Sequence, residues 1–187
     1  MIILASASPR RSEILLQAGV DFKVIPSNFD EESLEFTNID DYSKALSYYK
    51  AIDVFKDHPD DVVIASDTIV VVDNKILGKP KDEDDAYKML SMLSGRKHSV
   101  ITSVCIMTKN KVDTFLSKSY VTFYKMSDKD IKEYIATKEP MDKAGAYAVQ
   151  GKAAKYIRSI NGDYYTIVGL PIAKVIKSLK KLKALSI

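Results

Sequence analysis

The first residues pass directly from a strand pattern to a helix pattern, and this order limits the fold classes open to the chain. The apolar run MIILAS (1–6) predicts a buried strand. Ser8 is a favourable N-cap and Pro9 a favourable first helical residue, so a helix is predicted to begin at once. The apolar stripe in ILLQA (14–18) continues this helix and Gly19 ends it.

The remaining patterns mix strands and helices without a regular repeat. Predicted strands lie in 21–27, 61–80, 97–126 and 146–158, and predicted helices span 40–55, 82–93, 128–137 and 171–185. Asp73-Asn74 indicates a hairpin turn. The second helix is predicted to bury Ala45, Tyr48, Tyr49 and Ile52. Hairpins beside a strand-to-helix entry predict a mixed α/β fold, and 187 residues suit one domain over 1–187.

Composition narrows the class of protein. The net charge of +3 is too small to indicate a nucleic-acid-binding surface. No run approaches the roughly 20 apolar residues of a membrane span, and MIIL is too short for a signal peptide. Cys105 is the only cysteine, which excludes an internal disulfide and fits a reducing compartment. We therefore expect a cytoplasmic protein without a membrane or nucleic-acid partner.

Two adjacent arginines follow the first predicted strand. A helix N-terminus offers N–H groups and partial positive charge, and guanidinium groups add bidentate donors for phosphate oxygens. Ser8, Arg10 and Arg11 therefore form a candidate phosphate site. The alternative is a solvated basic pair on the first helical turn.

Asp67 stands between the apolar runs VVIA (62–65) and IVVV (69–72). A carboxylate is costly to bury without a partner, so we expect Asp67 at a strand end or bend. There it would face a metal or a polarised water. The alternative is a turn residue between two strands.

Several weaker features add polar groups. Lys79 is held in the turn LGKP, Lys50 lies on the second predicted helix, and Glu31 belongs to an acidic loop. Gln150 offers a donor and an acceptor that can read a base edge, and Gly151 would permit close approach of a ligand. Alone, Lys79 and the acidic loop are weak signals, and Lys50 is by itself expected to be a solvated lysine. Together with the arginines and Asp67 they indicate a nucleotide site with a divalent metal.

Six motifs, ILASASPRR, ASDTIV, LGKP, LSGRKHSVIT, KEPMDKAGAYAVQG and VGLP, follow one another in the order of the Maf family of nucleoside triphosphate pyrophosphatases. The chain resembles this family over nearly its whole length. The resemblance implies a two-lobed α/β fold with an elongated sheet and a central cleft, related to inosine triphosphate pyrophosphatases. It also implies a homodimer and cleavage of a nucleoside triphosphate to monophosphate and pyrophosphate, in a family first linked to septum formation.

The resemblance assigns roles residue by residue. The family's polar set falls on Ser8, Arg10, Arg11, Glu31, Lys50, Asp67, Lys79 and Gln150. The basic residues would bind phosphates, while Glu31 and Asp67 would hold Mg²⁺ or Mn²⁺ and Asp67 would act on the attacking water. Glu32 is an alternative to Glu31. Thr68 and Gln150 would read the base.

The motif variants indicate a branch of the family. Arg10, Thr68 and Gln150 match the dTTP/UTP branch and not the branch for 7-methylguanosine triphosphate. We expect hydrolysis of dTTP, UTP and modified pyrimidine nucleotides, for pool cleansing or a division-linked role. The chain departs from the family pattern at Ala65-Ser66 and Ala153, which are small replacements for small residues.

Two other functions stay open at this point. One is a regulatory protein that binds a nucleotide without turnover, and the other is an inosine/xanthosine triphosphate pyrophosphatase. Metal-dependent turnover separates the first from a pyrimidine pyrophosphatase, and base preference separates the second.

Overall fold

A computed structural model describes residues 1–185 and confirms a mixed α/β fold. The strands are β1 (Ile2–Leu4), β2 (Lys23–Val24), β3 (Val62–Val72), β4 (Lys75–Leu77), β5 (Lys97–Met107), β6 (Val112–Phe123) and β7 (Ile157–Asn161). The helices are α1 (Pro9–Gln17), α2 (Ile39–Phe55), α3 (Glu83–Leu93), α4 (Asp128–Ala136), α5 (Tyr164–Val168) and α6 (Ile172–Lys181). Residues 186 and 187, the end of the predicted domain, lie outside the described residues. None of these described helices combines the length and apolarity that a membrane span requires.

The seven strands of residues 1–185 form one sheet in the order β2-β1-β3-β5-β6-β7, with β4 paired to β3. β1 runs parallel to both β2 and β3, and Leu4 lies opposite Ile64. β3 and β4 form an antiparallel hairpin. Asp73 and Asn74 both have positive φ in its turn, which confirms the predicted hairpin without the usual glycine.

The chain forms two compact units. Unit 1 contains Met1–Asp67, Thr102–Ser117 and the described residues from Gly169, and unit 2 contains Thr68–Ile101 and Lys118–Val168. β3, β5 and β6 each contribute residues to both units.

The core of unit 1 joins strands β1, β3 and β5 to helix α2. Ile3, Ala51 and Val63 are all fully buried in one apolar cluster with Cys105. Burial raises the pKa of the Cys105 thiol to about 11, so the thiol stays protonated at neutral pH. Cys105 is thus a small buried apolar residue.

The core of unit 2 is built on the helix faces that the sequence predicts. α3 buries Ala86, Met89, Leu90 and Leu93, and α4 buries Ile131, Tyr134 and Ile135. A capping box between Ser127 and Asp130 begins α4. Apolar spacing of three and four residues identified both faces correctly.

The expected strand end or bend at Asp67 is wrong. β3 continues without interruption from Val62 to Val72, with Asp67 inside it. The strand tolerates two consecutive buried polar residues because each has a partner. Ser66 Oγ donates to Gly169 O, and Asp67 accepts from Lys50.

The predicted buried face of α2 is also wrong, because the helix is rotated relative to the expectation. The residues that it buries are Ser43, Leu46, Ser47, Ala51 and Val54. Both serines bury their hydroxyls by donating to carbonyls of their own helix, Ser43 to Ile39 O. Tyr48 and Tyr49 are exposed instead.

The segment 146–158 does not form the predicted strands. It consists mainly of 3₁₀ turns, and β7 begins only at Ile157. Gly145 and Ala146 both have positive φ, which interrupts an extended chain. Two further predictions were too long, since β2 contains only Lys23–Val24 and α6 ends at Lys181.

An aromatic cluster in unit 2 encloses a buried histidine. His98 Nε2 lies 2.6 Å from Tyr147 Oη, and its ring packs edge-on to Phe123 and Tyr147. Burial lowers the pKa of His98 to about 4, so the folded protein holds this imidazole neutral at pH 7.

Protonation of His98 should make folding pH-dependent. Its pKa is depressed in the folded state, so the unfolded chain takes up the proton first as the pH falls. Stability is therefore retained above about pH 6.5 and is lost progressively down to about pH 4. Between about pH 7.5 and about pH 5.5 the expected loss is roughly 1 kcal/mol. Urea unfolding of the wild type and His98→Gln measures it. Equal pH dependence in both proteins would contradict the assignment.

Candidate functional site

A lysine ammonium joins two of the predicted acidic site residues in unit 1. Lys50 Nζ lies 2.6 Å from Asp67 Oδ1 and 2.6 Å from Glu31 Oε1. The two carboxylate oxygens are thus separated by at most twice that distance. Asp67 is nearly buried, whereas the Glu31 side chain is 52% exposed. The structure therefore brings Glu31, Lys50 and Asp67 together.

Three local structures position this trio. Asp67 projects from β3, Lys50 from the C-terminal half of α2, and Glu31 from a 3₁₀ turn at Glu31–Ser33. Asp30 caps that turn by accepting from the backbone N–H of Glu32. The direct contact with Lys50 favours Glu31 over the alternative Glu32.

Charge and burial have opposite effects on the pKa of Lys50. Burial alone would lower the pKa of Lys50, but the charge and hydrogen bond of Asp67, together with those of Glu31, outweigh burial and raise it. The side chain is therefore a full cation at neutral pH. Burial also raises the pKa of the nearby Tyr42 phenol, and the negative charges of Asp67 and Glu31 raise it further.

The guanidinium of Arg11 is held in one orientation. Its Nε donates to Gly169 O at 2.9 Å and one terminal nitrogen donates to Ser6 Oγ at 3.0 Å. The same carbonyl of Gly169 accepts from Ser66 Oγ at 2.9 Å. Ser66 precedes Asp67 in β3, so one carbonyl connects the arginine to the strand that carries the candidate catalytic residue.

Arg10 and Arg11 stand at the first turn of α1, as predicted. Burial lowers the pKa of Arg11, with a raising effect from Asp67 and a lowering effect from Arg10. Asp67 therefore acts electrostatically on Arg11, and so does Arg10. Ser8 occupies the N-cap position, but its side chain makes no capping bond, and its backbone N–H donates to Ser6 Oγ.

The five charged candidate residues of unit 1 have a net positive charge, which favours the binding of an anion. Lys50, Arg10 and Arg11 carry three positive charges against the two negative charges of Glu31 and Asp67. Guanidinium groups at a helix N-terminus are well suited to phosphate oxygens.

The donor set also fits a divalent cation. Residues 1–185 hold no group of three or more histidine, cysteine or acidic residues arranged for a metal. Glu31 and Asp67 nevertheless converge on one point, the Lys50 ammonium. Magnesium in phosphate-processing proteins is commonly held by one or two carboxylates together with water and substrate phosphates. The two acidic residues meet that requirement.

The other predicted site residues belong to unit 2. Thr68 is partly buried, while Lys79 and Gln150 are exposed. Gly145 N donates to Gly78 O at 3.1 Å, which joins the segment of Lys79 to the segment of Gln150. A side chain at Gly145 would collide with Val70, so this contact requires glycine.

Sequence reasoning missed several residues that hold the predicted ones in place. Ser6 and Gly169 accept hydrogen bonds from Arg11, Ser66 donates to the same Gly169 carbonyl, and the charges of Asp67 and Glu31 act on Tyr42. Ser66 and Gly169 occur inside the motifs ASDTIV and VGLP, so the motifs contained a signal for them. The sequence does not show which residues they contact, because Gly169 is distant in sequence from both Arg11 and Ser66.

Comparison with known proteins identifies relatives of high similarity. A dTTP/UTP pyrophosphatase of Bacillus cytotoxicus is 47% identical over 179 residues, which cover 96% of this chain and 94% of the relative. One of Acholeplasma laidlawii is 47% identical over 181 residues, covering 96% and 95%. One of Bacillus cereus is 44% identical over 180 residues, covering 96% and 94%.

A solved structure shows weaker similarity. The Staphylococcus aureus Ham1 protein aligns with a TM-score of 0.49 and 14% identity over 97% of this chain and 98% of that chain. A similarity at this level supports no conclusion about function.

Comparison with sequence families identifies the family of this chain. The family model described as Maf-like protein matches residues 1–182. This span contains every residue of the cluster around Lys50 as well as Thr68, Lys79 and Gln150. The chain therefore belongs to the Maf family.

Proposed function

We propose that this chain is a nucleoside triphosphate pyrophosphatase that hydrolyses dTTP and UTP to the monophosphate and pyrophosphate. The observation that carries the proposal is the contact of Lys50 with both Glu31 and Asp67, near the anchored Arg11. Membership of the Maf family and the names of the relatives support it.

Positive charge binds the triphosphate in this proposal. Arg11 is fixed by Ser6 and Gly169, so little side-chain freedom is lost when it contacts a phosphate. Arg10 and Lys79 supply further charge. Preorganised cations lower the barrier because they stabilise the charge that develops on transferring and leaving oxygens.

Glu31 and Asp67 are the residues that would hold a divalent cation, Mg²⁺ or Mn²⁺. When bound, such a cation supplies positive charge to the phosphate oxygens. Lys50 lies where it can compensate both carboxylates and can also contact a substrate phosphate.

Asp67 acts on the attacking water. Oδ1 accepts from Lys50, so Oδ2 is the oxygen that we assign to the water. Asp67 orients the water or takes its proton, and the water oxygen attacks the α-phosphorus in line with the leaving oxygen. The bond from the α-phosphorus to the bridging oxygen breaks, and pyrophosphate leaves.

Gln150 reads the base. Its amide can donate to a pyrimidine carbonyl and accept from the ring N–H. A base with the wrong donor pattern leaves a polar group unpaired, which costs about 1–3 kcal/mol. A contribution of Thr68 to base reading stays a prediction.

Other expected properties also stay predictions. They are the homodimer, the cytoplasmic location, the absence of nucleic-acid and membrane partners, and a role in nucleotide-pool cleansing or division. A nucleotide sensor needs the same phosphate-binding charges, so pyrophosphate release that stops on removal of divalent cations is the test that separates the enzyme from a sensor.

Asp67→Asn should nearly abolish turnover because the side chain loses its proton acceptor. The expected fall in kcat is about 10²–10⁴-fold. Pyrophosphate release gives kcat, and a melting curve checks folding. Asp53→Asn is the matched control, since Asp53 is another carboxylate of unit 1 paired with a lysine, Lys56. A near wild-type kcat in Asp67→Asn would remove Asp67 from the mechanism.

Arg10→Ala and Arg11→Ala should each weaken triphosphate use without unfolding the chain. Loss of one charge-assisted contact costs roughly 1.5–3 kcal/mol, or about 10- to 150-fold in kcat/KM. Steady-state kinetics with dTTP measures the loss. Arg96→Ala is the control, because Arg96 pairs with Asp73 on an exposed turn. Unchanged kcat/KM in both variants would refute the phosphate-binding role.

Pyrimidine triphosphates should be better substrates than purine triphosphates, and Gln150→Glu should impair pyrimidine use because a carboxylate lacks the amide donor. Competition among dTTP, UTP, GTP, 7-methyl-GTP and ITP at equal concentration tests both expectations. If ITP or 7-methyl-GTP has the highest kcat/KM, the branch assignment is wrong although the pyrophosphatase function survives.

A further inference from the structure

The turn that carries Gln150 is held at both of its ends by side chains. On one side, Ala148 N donates to Tyr134 Oη at 3.2 Å. On the other, Lys152 N donates to both carboxylate oxygens of Glu139, at 3.1 and 3.0 Å. Gly151 N donates to Ala148 O at 3.1 Å, which closes the turn between these two points.

The two side chains that hold the turn, Tyr134 and Glu139, are also hydrogen-bonded to each other. Tyr134 Oη donates to Glu139 Oε2 at 2.6 Å. A continuous path of hydrogen bonds therefore runs from Ala148 through Tyr134 and Glu139 to Lys152, and the chain from 148 to 152, which includes Gln150, closes it into a ring.

The tyrosine of this ring is anchored in the core of unit 2. Tyr134 is 2% exposed and belongs to the buried face of α4. Burial, followed by the hydrogen bond to Glu139, raises the pKa of the Tyr134 phenol, so the hydroxyl keeps its proton and can donate. A Cβ at Gly151 would overlap the Glu139 carboxylate. Glycine at 151 thus admits this carboxylate, whereas the sequence suggested that it admits a ligand.

We propose that Tyr134 and Glu139 are positioning residues that set base selectivity by holding Gln150. The inference rests on the proposed base-reading role of Gln150. Gln150 is exposed, so its place depends on the backbone of the turn rather than on packing of its own side chain. A fixed turn presents the amide in one place, where a wrong base leaves a donor or acceptor unpaired.

Tyr134→Phe tests the proposal, because it removes the hydroxyl and keeps the ring that packs against Tyr156. The turn loses one anchor, while the charged cluster of unit 1 is untouched. The ratio of kcat/KM for dTTP to that for ITP should fall on the order of tenfold, through a higher KM for dTTP, with kcat changed less than about threefold. A purely structural role would instead lower kcat for both nucleotides equally.

Tyr87→Phe is the matched control. Tyr87 Oη donates to Asp128 at 2.6 Å, so this variant also removes a tyrosine–carboxylate bond of unit 2, at an exposed place outside the ring. The dTTP-to-ITP ratio should keep its wild-type value. If Tyr134→Phe does not fold, Glu139→Gln provides the same test, since it leaves only one acceptor oxygen for Lys152 and Tyr134 together.

Gln150→Ala and the double variant Tyr134→Phe/Gln150→Ala complete the experiment. Gln150→Ala should lower the dTTP-to-ITP ratio of kcat/KM. Adding Tyr134→Phe should lower this ratio no further, because Tyr134 acts only through the contact of Gln150 with the base. An unchanged ratio in Gln150→Ala would overturn the base-reading role itself. A reduced ratio in Gln150→Ala with a normal ratio in Tyr134→Phe would overturn only the positioning role. Additive losses in the double variant would also overturn it.

Discussion

The pairing of Lys50 with Asp67 and Glu31 is the interaction on which the candidate site depends. A carboxylate inside a continuous buried strand would be very unfavourable if it stood alone. The ammonium from α2 compensates it at 2.6 Å and reaches Glu31 at the same distance. The compensation allows β3 to pass through position 67 without a bend, and it brings two carboxylates to one ammonium group.

The backbone carbonyl of Gly169 is shared by two side chains of unit 1. The Gly169 carbonyl accepts from Arg11 and from Ser66, and Ser66 is the neighbour of Asp67. One oxygen atom therefore contacts both the guanidinium of Arg11 and the side chain that precedes Asp67 in β3. Because a partly buried arginine that is already oriented loses little freedom on binding a phosphate, this arrangement favours anion binding over a merely solvated basic pair.

In unit 2, hydrogen bonds and aromatic packing hold side chains and backbone in place. His98 is kept uncharged against Tyr147, and Tyr134 and Glu139 hold the backbone on either side of Gln150. In the irregular chain from 144 to 156, the N–H groups of Ala148 and Lys152 donate to side chains, and those of Gly145 and Gly151 donate to backbone carbonyls outside a sheet.

Local pattern by itself determined the mixed α/β class, the hairpin at Asp73-Asn74 and the buried faces of α3 and α4, because these follow from residue spacing and turn chemistry. The order of its motifs also identified the family. Only the tertiary structure decided that β3 is continuous, that α2 buries serines, and that Tyr134 and Glu139 bind the backbone on either side of Gln150. Each of these depends on a partner distant in sequence or on a side chain satisfied by its own helix. A polar residue in an apolar run signals a turn or a buried pair equally well until its partner is known.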